Sequence, residues 1–371
     1  MSSPRLRLAF LVLAIAATAR EPWHLFEDSL TGNLGYKDSS GRITVAAIFA
    51  QPTSARRFHH VVAAFEADTS DLPVRSPSYF LRRDGSTFGH DSVPILHDFT
   101  PPCESEGTIL FQDSATRRFG YFDSTGRILI PARFMDASSF HGGYAVVLPE
   151  GKRLCGSGKE WSPSHACEHW TWSGTRQLID RHGNTVIDSF VMPDGAIPDW
   201  HRANRSASGT DPNHLRFRTV TGDTLSVPDH LREFEGWLAE AFPRMRTRGA
   251  DRQDFLPNFY VTPHRDWQSA RIAKAREGCW PTTNPVKFLA ADGRKFRKLI
   301  SRMDREPARL DLSTGSGFLH AAELGLEGDC GNPDPVNHPV FEVRSIDPGG
   351  LILRSVFFAR TPHGFLIAEI D

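Results

Sequence analysis

The chain has 371 residues, a formal net charge of −1 and 39% hydrophobic residues. That length allows sizeable cores in about two domains, and the near-neutral balance gives no global electrostatic reason to bind nucleic acid or an anionic membrane. After the N-terminus no apolar stretch approaches the ~20 residues a membrane-crossing helix needs.

The first residues, MSSPRLRLAFLVLAIAATAR, read in three parts. Arg5 and Arg7 give a positive start, Leu8 to Ala17 is almost wholly apolar, and Ala17-Thr18-Ala19 supplies small residues around a cleavage site. The pattern predicts a signal peptide over residues 1–19, with an uncleaved anchor as the alternative. No Cys follows the apolar run to take a lipid. Losing Arg5 and Arg7 leaves a mature charge of about −3.

Two segments then repeat one another. GYKDSSGRITV (Gly35 to Val45) and GYFDSTGRILI (Gly120 to Ile130) share Gly, Tyr, Asp, Ser, Gly, Arg and Ile in register. Both continue to a Phe (Phe49, Phe134), a Phe-His pair and an apolar strand, VVAAF or YAVVL. Weaker copies are YFLRRDGSTF, followed by Phe99 and TILF, and QLIDRHGNTVIDSF. The turn glycines Gly41, Gly85, Gly126 and Gly183 recur at a period of roughly 42 residues, which fits a repeat array.

Each copy predicts a hairpin and a further strand. Asp38 or Asp123 starts an Asx turn, Gly41 or Gly126 supplies the left-handed residue, and Pro131 is expected to end pairing at a strand edge. Tyr36, Tyr121, Ile128, Ile130 and Phe134 are expected in a core shared between copies. One copy buries too few apolar side chains to offset the ordering of ~40 residues, so neighbours must stack.

The pattern Phe119-Gly120-Tyr121, Asp123, Gly126, Pro131, Phe134, Phe140, Gly143 and Ala145 resembles the WG (KWG) repeat of bacterial proteins. Phe119 and Leu34 stand where that repeat has its tryptophan. The resemblance covers about four copies, residues 20–197. It implies a non-catalytic β-rich array that mediates interactions, and it carries over no catalytic residues. With the N-terminal signal it implies a periplasmic or secreted bacterial protein.

An insertion, GSGKEWSPSHA, lies between Cys155 and Cys167. In an exported chain cysteines favour disulfides over metal. The expected pairs are Cys155–Cys167 and Cys279–Cys330, with Cys103 left over; pairing across the two halves is the alternative. Trp161, Trp170 and Trp172 around the insertion are the contact candidates, because exposed aromatic loops often anchor interfaces. The competing reading packs them under the insertion.

Residues 198–228 read as a linker or a degenerate repeat, with a strand pair around LRFRTVTGDTLSV. Residues 229–371 read as an α+β domain. A helix capped by Ser226 or Asp229 runs through Phe242 and stops at Pro243, and a second spans Asp266 to Glu277. Asp292-Gly293 favours a hairpin within Val286 to Ile300. FEVRSI, LILRSVFFAR and GFLIAEI form an antiparallel meander, in an order similar to cystatin-like or NTF2-like folds.

The chain is thus expected to be mainly β with a C-terminal α+β part. His165 and His169 flank Cys167 in a set that would bind zinc only if the thiol were reduced. STGSGF lacks the strand-to-helix setting of a nucleophile elbow, and no phosphate loop or H-E-x-x-H is present. No catalytic residue, cofactor or metal is therefore expected. The expected function is non-catalytic binding of a protein or cell-envelope partner. The alternative is a small-ligand-binding or hydrolytic C-terminal domain with the repeats as a targeting arm.

Overall fold

The computed structural model describes residues 21–50, 55–67, 77–96, 100–205, 211–261, 282–303, 326–331, 336–346 and 352–370. It is mostly β. The first sheet contains β1 (Trp23–Glu27), β2 (Leu34–Lys37), β3 (Ile43–Phe49) and β4 (Arg57–Phe58), in the order β3-β2-β1-β4. The second contains β5 (Val61–Phe65), β6 (Ser78–Arg82) and β7 (Thr87–Phe88), and the third β8 (Thr108–Gln112), β9 (Phe119–Asp123) and β10 (Ile128–Phe134). The fourth begins with β11 (Asp136–Ala137) and β12 (Tyr144–Leu148). The chain then leaves it as a separate hairpin, β13 (Lys152–Cys155) and β14 (Trp170–Ser173). It returns as β15 (Gln177–Asp180) and β16 (Thr185–Ile187). A fifth, two-stranded sheet pairs β17 (His214–Arg218) with β18 (Thr224–Pro228).

Sequence copies and sheets are staggered. The apolar strand that closes one copy becomes the first strand of the next sheet: β5 pairs with β6, β8 with β9, and β12 with β15. Period-two alternation then sends each strand's side chains into two different cores. From the second sheet, Val62, Ala64, Tyr79 and Leu81 pack with Tyr36, Phe49 and Phe58 of the first. Val61, Ala63 and Phe80 pack on the other side with Ile109, Phe111 and Phe122 of the third. Leu110, Tyr121, Ile130 and Phe134 face Ala145, Val147 and Ile179 of the fourth, whose Leu178, Val186 and Ile187 meet Leu225 and Val227 of the fifth. The array is a stack of small sheets, of which the second, third and fourth are each sandwiched between two cores.

One turn recurs in five hairpins. The N–H of Gly126 donates to the Asp123 carbonyl (3.0 Å) and that of Asp123 to the Arg127 carbonyl (2.9 Å). The same pair of bonds closes Asp38–Arg42, Arg82–Ser86, Asp180–Asn184 and Thr219–Asp223. Asp123 Oδ1 accepts from the N–H groups of Thr125 (2.8 Å) and Arg127 (3.0 Å). Tyr36 and Tyr121 are fully buried and donate to the Ala55 and Ser138 carbonyls, both at 2.8 Å.

Gly35 and Gly120 have a different task. A Cβ on Gly120 would lie 2.6 Å from the Ile130 carbonyl oxygen, and one on Gly35 2.7 Å from that of Val45. Both lie beside seven-residue third strands, β10 and β3, that bulge across them. The copies with Tyr79 and Gln177 at this position have third strands of two and three residues. Pro131 does not end pairing as expected. It sits inside β10 between register shifts, and the ladder resumes at Phe134 opposite Phe119. Ile128 also departs from expectation: it is 60% exposed rather than in the shared core.

The lead-in turns of successive sheets are clamped by carboxylates. Buried Glu104 accepts from the N–H groups of His60 (2.9 Å) and Val61 (3.0 Å), and Glu106 from those of Gly142 (2.5 Å) and Gly143 (3.0 Å). Cys103 beside them is bonded to Cys330, so it is not the left-over thiol, and Cys330 is not paired with Cys279. The strap around Cys330 lies along the same turns. The Arg57 N–H donates to the Cys330 carbonyl (2.9 Å), Arg57 pairs with Glu327, and the Glu106 N–H donates to Asp329 (3.0 Å). Sequence proximity favoured a pair within the C-terminal half, but the fold lays residues 326–331 on the array. Cys279 lies outside the described residues. Cys155 and Cys167 are joined to each other.

Within the stretch read as a linker, Trp200 packs in the core between the fourth and fifth sheets, and just before it Ile197 reaches the C-terminal core. Asp229 caps helix α1 (His230–Arg248) through the Leu231 N–H (3.1 Å) and also accepts from the Ile197 N–H (3.0 Å). Pro243 does not stop α1. Buried Ala241, Phe242 and Met245 on one face outweigh the ~3 kcal/mol a helical proline costs. Likewise Pro285–Met303 is a helix, α2, and not a hairpin. Phe288, Phe296, Ile300 and Met303 form one buried stripe, which overrides the local turn preference of Asp292-Gly293.

The C-terminal sheet contains β19 (Phe255–Val261), β20 (Thr282–Thr283), β21 (Val340–Ile346), β22 (Ile352–Thr361) and β23 (Gly364–Ile370), in the order β20-β19-β23-β22-β21. The last three make the expected meander, and β19 adds to it in parallel with β23. The helix expected at Asp266 to Glu277, Phe99 and the N-terminal residues 1–19 lie outside the described residues. Among the described residues no helix is long and apolar enough to cross a membrane.

Candidate functional site

The hairpin β13–β14 interrupts the best-formed part of the array without disturbing it, because β12 and β15 still pair from Tyr144–Asp180 to Val147–Gln177. Its register sets Arg153 opposite Trp172 and Cys155 opposite Trp170. Alternation therefore puts Arg153, Cys155 and both tryptophans on one face. Cys155 opens a turn with the array's own bond pattern, Gly158 N–H to the Cys155 carbonyl (2.8 Å). The chain returns so that the Trp161 N–H donates to the Arg153 carbonyl (2.8 Å). The Cys155–Cys167 disulfide closes this loop.

The three contact candidates thus converge on one cation. The Arg153 guanidinium lies 4.3 Å from the Trp170 ring centroid, 5.0 Å from that of Trp172 and 5.5 Å from that of Trp161. Trp170 and Trp172 meet edge to face at 5.2 Å. All four side chains are half-buried. The tryptophans are neither lost beneath the insertion nor free of it. Each keeps ring surface at the solvent boundary while bracing the others. Arg153 was not among the sequence candidates. Its signal was one basic residue in strand alternation with a Trp-x-Trp partner, which becomes visible only once the register is known.

Cys167 is held in the disulfide, so the His165-Cys167-His169 set has no thiolate to offer. Among the described residues no group of His, Cys, Asp and Glu is arranged to hold a metal ion.

Residues 119–152, from the Phe119 strand through the lead-in to this hairpin, match the family model described as the WG containing repeat. The chain carries a WG repeat. The matched segment comprises β9 to β12, so the WG repeat spans two of the three strands of the third sheet and the first two strands of the fourth. It ends where the insertion begins, so the tryptophan hairpin is an addition to the WG repeat and not a part of it. No curated protein and no solved structure matches the chain.

Two further places have functional shape. A groove of about 1480 Å³ in the C-terminal part is lined by Trp237, Arg252, Asp254, Lys287, His363 and Phe365, among others. At the junction of array and α1, buried His230 lies between Asp199 (3.5 Å) and Glu233 (3.3 Å), and Arg202 bridges the same two carboxylates. Arg360 lies 3.6 Å from Glu233. Among these paired charges the acids and bases neutralise one another, as in an ion-pair junction.

Proposed function

We propose that the chain is an exported, non-catalytic interaction protein in which the WG-like array, residues 20–197, holds the tryptophan hairpin toward a protein or cell-envelope partner. The convergence of Trp161, Trp170 and Trp172 on Arg153, on a disulfide-closed hairpin outside the repeat itself, carries this reading. A stack of sheets buried on both faces is a rigid support, and preorganised aromatic residues make economical contacts. Two disulfides suit the oxidising compartment that a cleaved segment 1–19 would lead to. In this reading residues 229–371 form an α+β domain, tied back to the array by the Cys103–Cys330 disulfide.

The test is comparative cross-linking in the envelope fraction. One arm uses the full chain; the other a variant in which a short Gly-Ser link joins Gly151 to Gly174. Partners captured by the full chain and lost with the hairpin are expected. An identical partner set in both arms would overturn the reading.

The groove beside His363 favours a second reading, small-ligand binding by the C-terminal domain. A thermal-shift screen of small metabolites checks it: a hit must disappear in Trp237→Ala, whose side chain lines the groove.

A further inference from the structure

Most arginines of the array are engaged. Arg42 pairs with Asp38, Arg57 with Glu327, Arg82 with Asp84, Arg118 with Glu150 and Arg176 with Asp136, while Arg133 and Arg181 donate to backbone carbonyls. Arg153 differs. Among the described residues its guanidinium makes no hydrogen bond and no ion pair, only the three ring contacts. The carboxylates nearby belong to other cations: Asp136 to Arg176 (3.2 Å), Glu150 to Arg118 (2.8 Å) and Glu160 to Lys152 (2.9 Å).

A second guanidinium is close. Arg117 is exposed, has no ion pair among the described residues, and is held at φ +58°, a conformation that costs a non-glycine residue ~1–2 kcal/mol. Burial, and then the like charge of Arg117, lower the Arg153 pKa, and Asp136 opposes them only in part. Two cations kept together with no carboxylate among the described residues in ion-pair contact, and only the already paired Asp136 acting from further off, make a place where an anion relieves repulsion.

The shape of the site narrows the anion. Aromatic rings engage the faces of a guanidinium, and its five N–H donors lie in its plane, so they remain directed outward for a carboxylate in two-pronged geometry. Three half-exposed indole faces beside that fork exceed what a peptide carboxylate needs. They match the flat C–H faces of pyranose rings.

We propose that Arg153 and Arg117, framed by Trp161, Trp170 and Trp172, form a binding site for an acidic polysaccharide, with sugar rings stacked on the indoles and a uronate carboxylate on the guanidinium fork. This deepens the interaction reading and rests on it: the hairpin's partner is then a carboxylated glycan.

The test uses the full chain with its disulfides intact, run in native gels containing polygalacturonate, neutral dextran or poly-L-glutamate. Retardation is expected with polygalacturonate alone, weakening as salt is added. Arg153→Gln and Trp172→Ala are each expected to weaken binding at least tenfold, Arg153→Lys and Arg117→Gln less so, and the distant Lys37→Gln not at all. Unchanged unfolding midpoints show that the variants fold, and should Arg153→Gln fail to fold, Trp172→Ala and Arg117→Gln carry the test. Equal retardation by poly-L-glutamate would overturn the glycan assignment in favour of an acidic peptide. Wild-type binding by Arg153→Gln would overturn the site. Absence of retardation while hairpin-dependent cross-linking persists would overturn the glycan alone, whereas hairpin-independent cross-linking would remove the reading beneath it.

Discussion

Glu104 and Glu106 lie two residues apart in one turn and hold opposite neighbours: Glu104 accepts the His60 and Val61 N–H groups of the preceding sheet, Glu106 the Gly142 and Gly143 N–H groups of the following one. Three lead-in turns are thereby tied through a single short segment. Buried N–H groups are costly to leave unpaired, so Glu104→Ala should destabilise the array by about 1–3 kcal/mol. Urea unfolding measures this, and Glu104→Gln, which keeps an acceptor, should recover part of the loss.

Glycine→alanine substitutions should change sign with position. Gly120→Ala forces a Cβ against the backbone of β10 and should cost about 1–3 kcal/mol. Gly236, exposed in the middle of α1 with open space around it, should gain roughly 0.5–1 kcal/mol as alanine. Gly126→Val should cost more than either, because it meets both a φ of +84° and the Phe88 ring at 3.0 Å. Thermal unfolding of the three variants orders them.

The repeat tyrosines set an alkaline limit. Burial raises the Tyr36 and Tyr121 hydroxyls well above the ordinary value of about 10, and burial with Glu66 pushes Tyr79 up to about 12. A raised folded pKa contributes stability that is complete below about pH 10 and is lost as pH climbs toward the folded values. Tyrosinate absorbance from Tyr36 and Tyr121 should therefore appear together with loss of circular dichroism, and not before it. In Tyr36→Phe/Tyr121→Phe the alkaline fall in stability should flatten.

The junction at Glu233 behaves in the opposite sense. Burial alone would raise its pKa, but His230, Arg202 and Arg360 hold it far below the ordinary glutamate value. A depressed folded pKa gives stability that is present above about pH 4.3 and drains away as pH falls. Glu233→Gln should cost roughly 1–3 kcal/mol at pH 7 and progressively less toward pH 2. Denaturant midpoints across pH check the slope.

The two disulfides should differ in weight. Cys103–Cys330 closes a separation of 227 residues, Cys155–Cys167 one of 12. Chain entropy assigns them roughly 5 and roughly 3 kcal/mol. Cys330→Ser should lower the unfolding midpoint more, while Cys155→Ser should chiefly loosen the hairpin, read as faster proteolysis between β13 and β14.

The repeat was legible in sequence because its chemistry is local. Asp123 and Gly126 need only their own turn, and alternation in VVAAF already allots Val61 and Val62 to opposite faces. What was hidden depends on distant neighbours. Cys103 meets Cys330 only because residues 326–331 lie along the lead-in turns. Pro243 and Asp292-Gly293 are genuine breakers that lose to burial of Met245, Phe288 and Phe296. The three tryptophans could be singled out as a set, but the cation at their centre could not, since the Arg153–Trp172 pairing is a matter of register.

The stagger between copy and sheet also bears on how such a chain can change length. A sheet takes its first strand from the copy before it and its other two from the copy after. Removing one whole period of sequence, cut anywhere, therefore rejoins a donor strand to an acceptor pair. The array can lengthen or shorten by a unit of roughly 42 residues without ever exposing a half-built layer. Only its two ends need sealing.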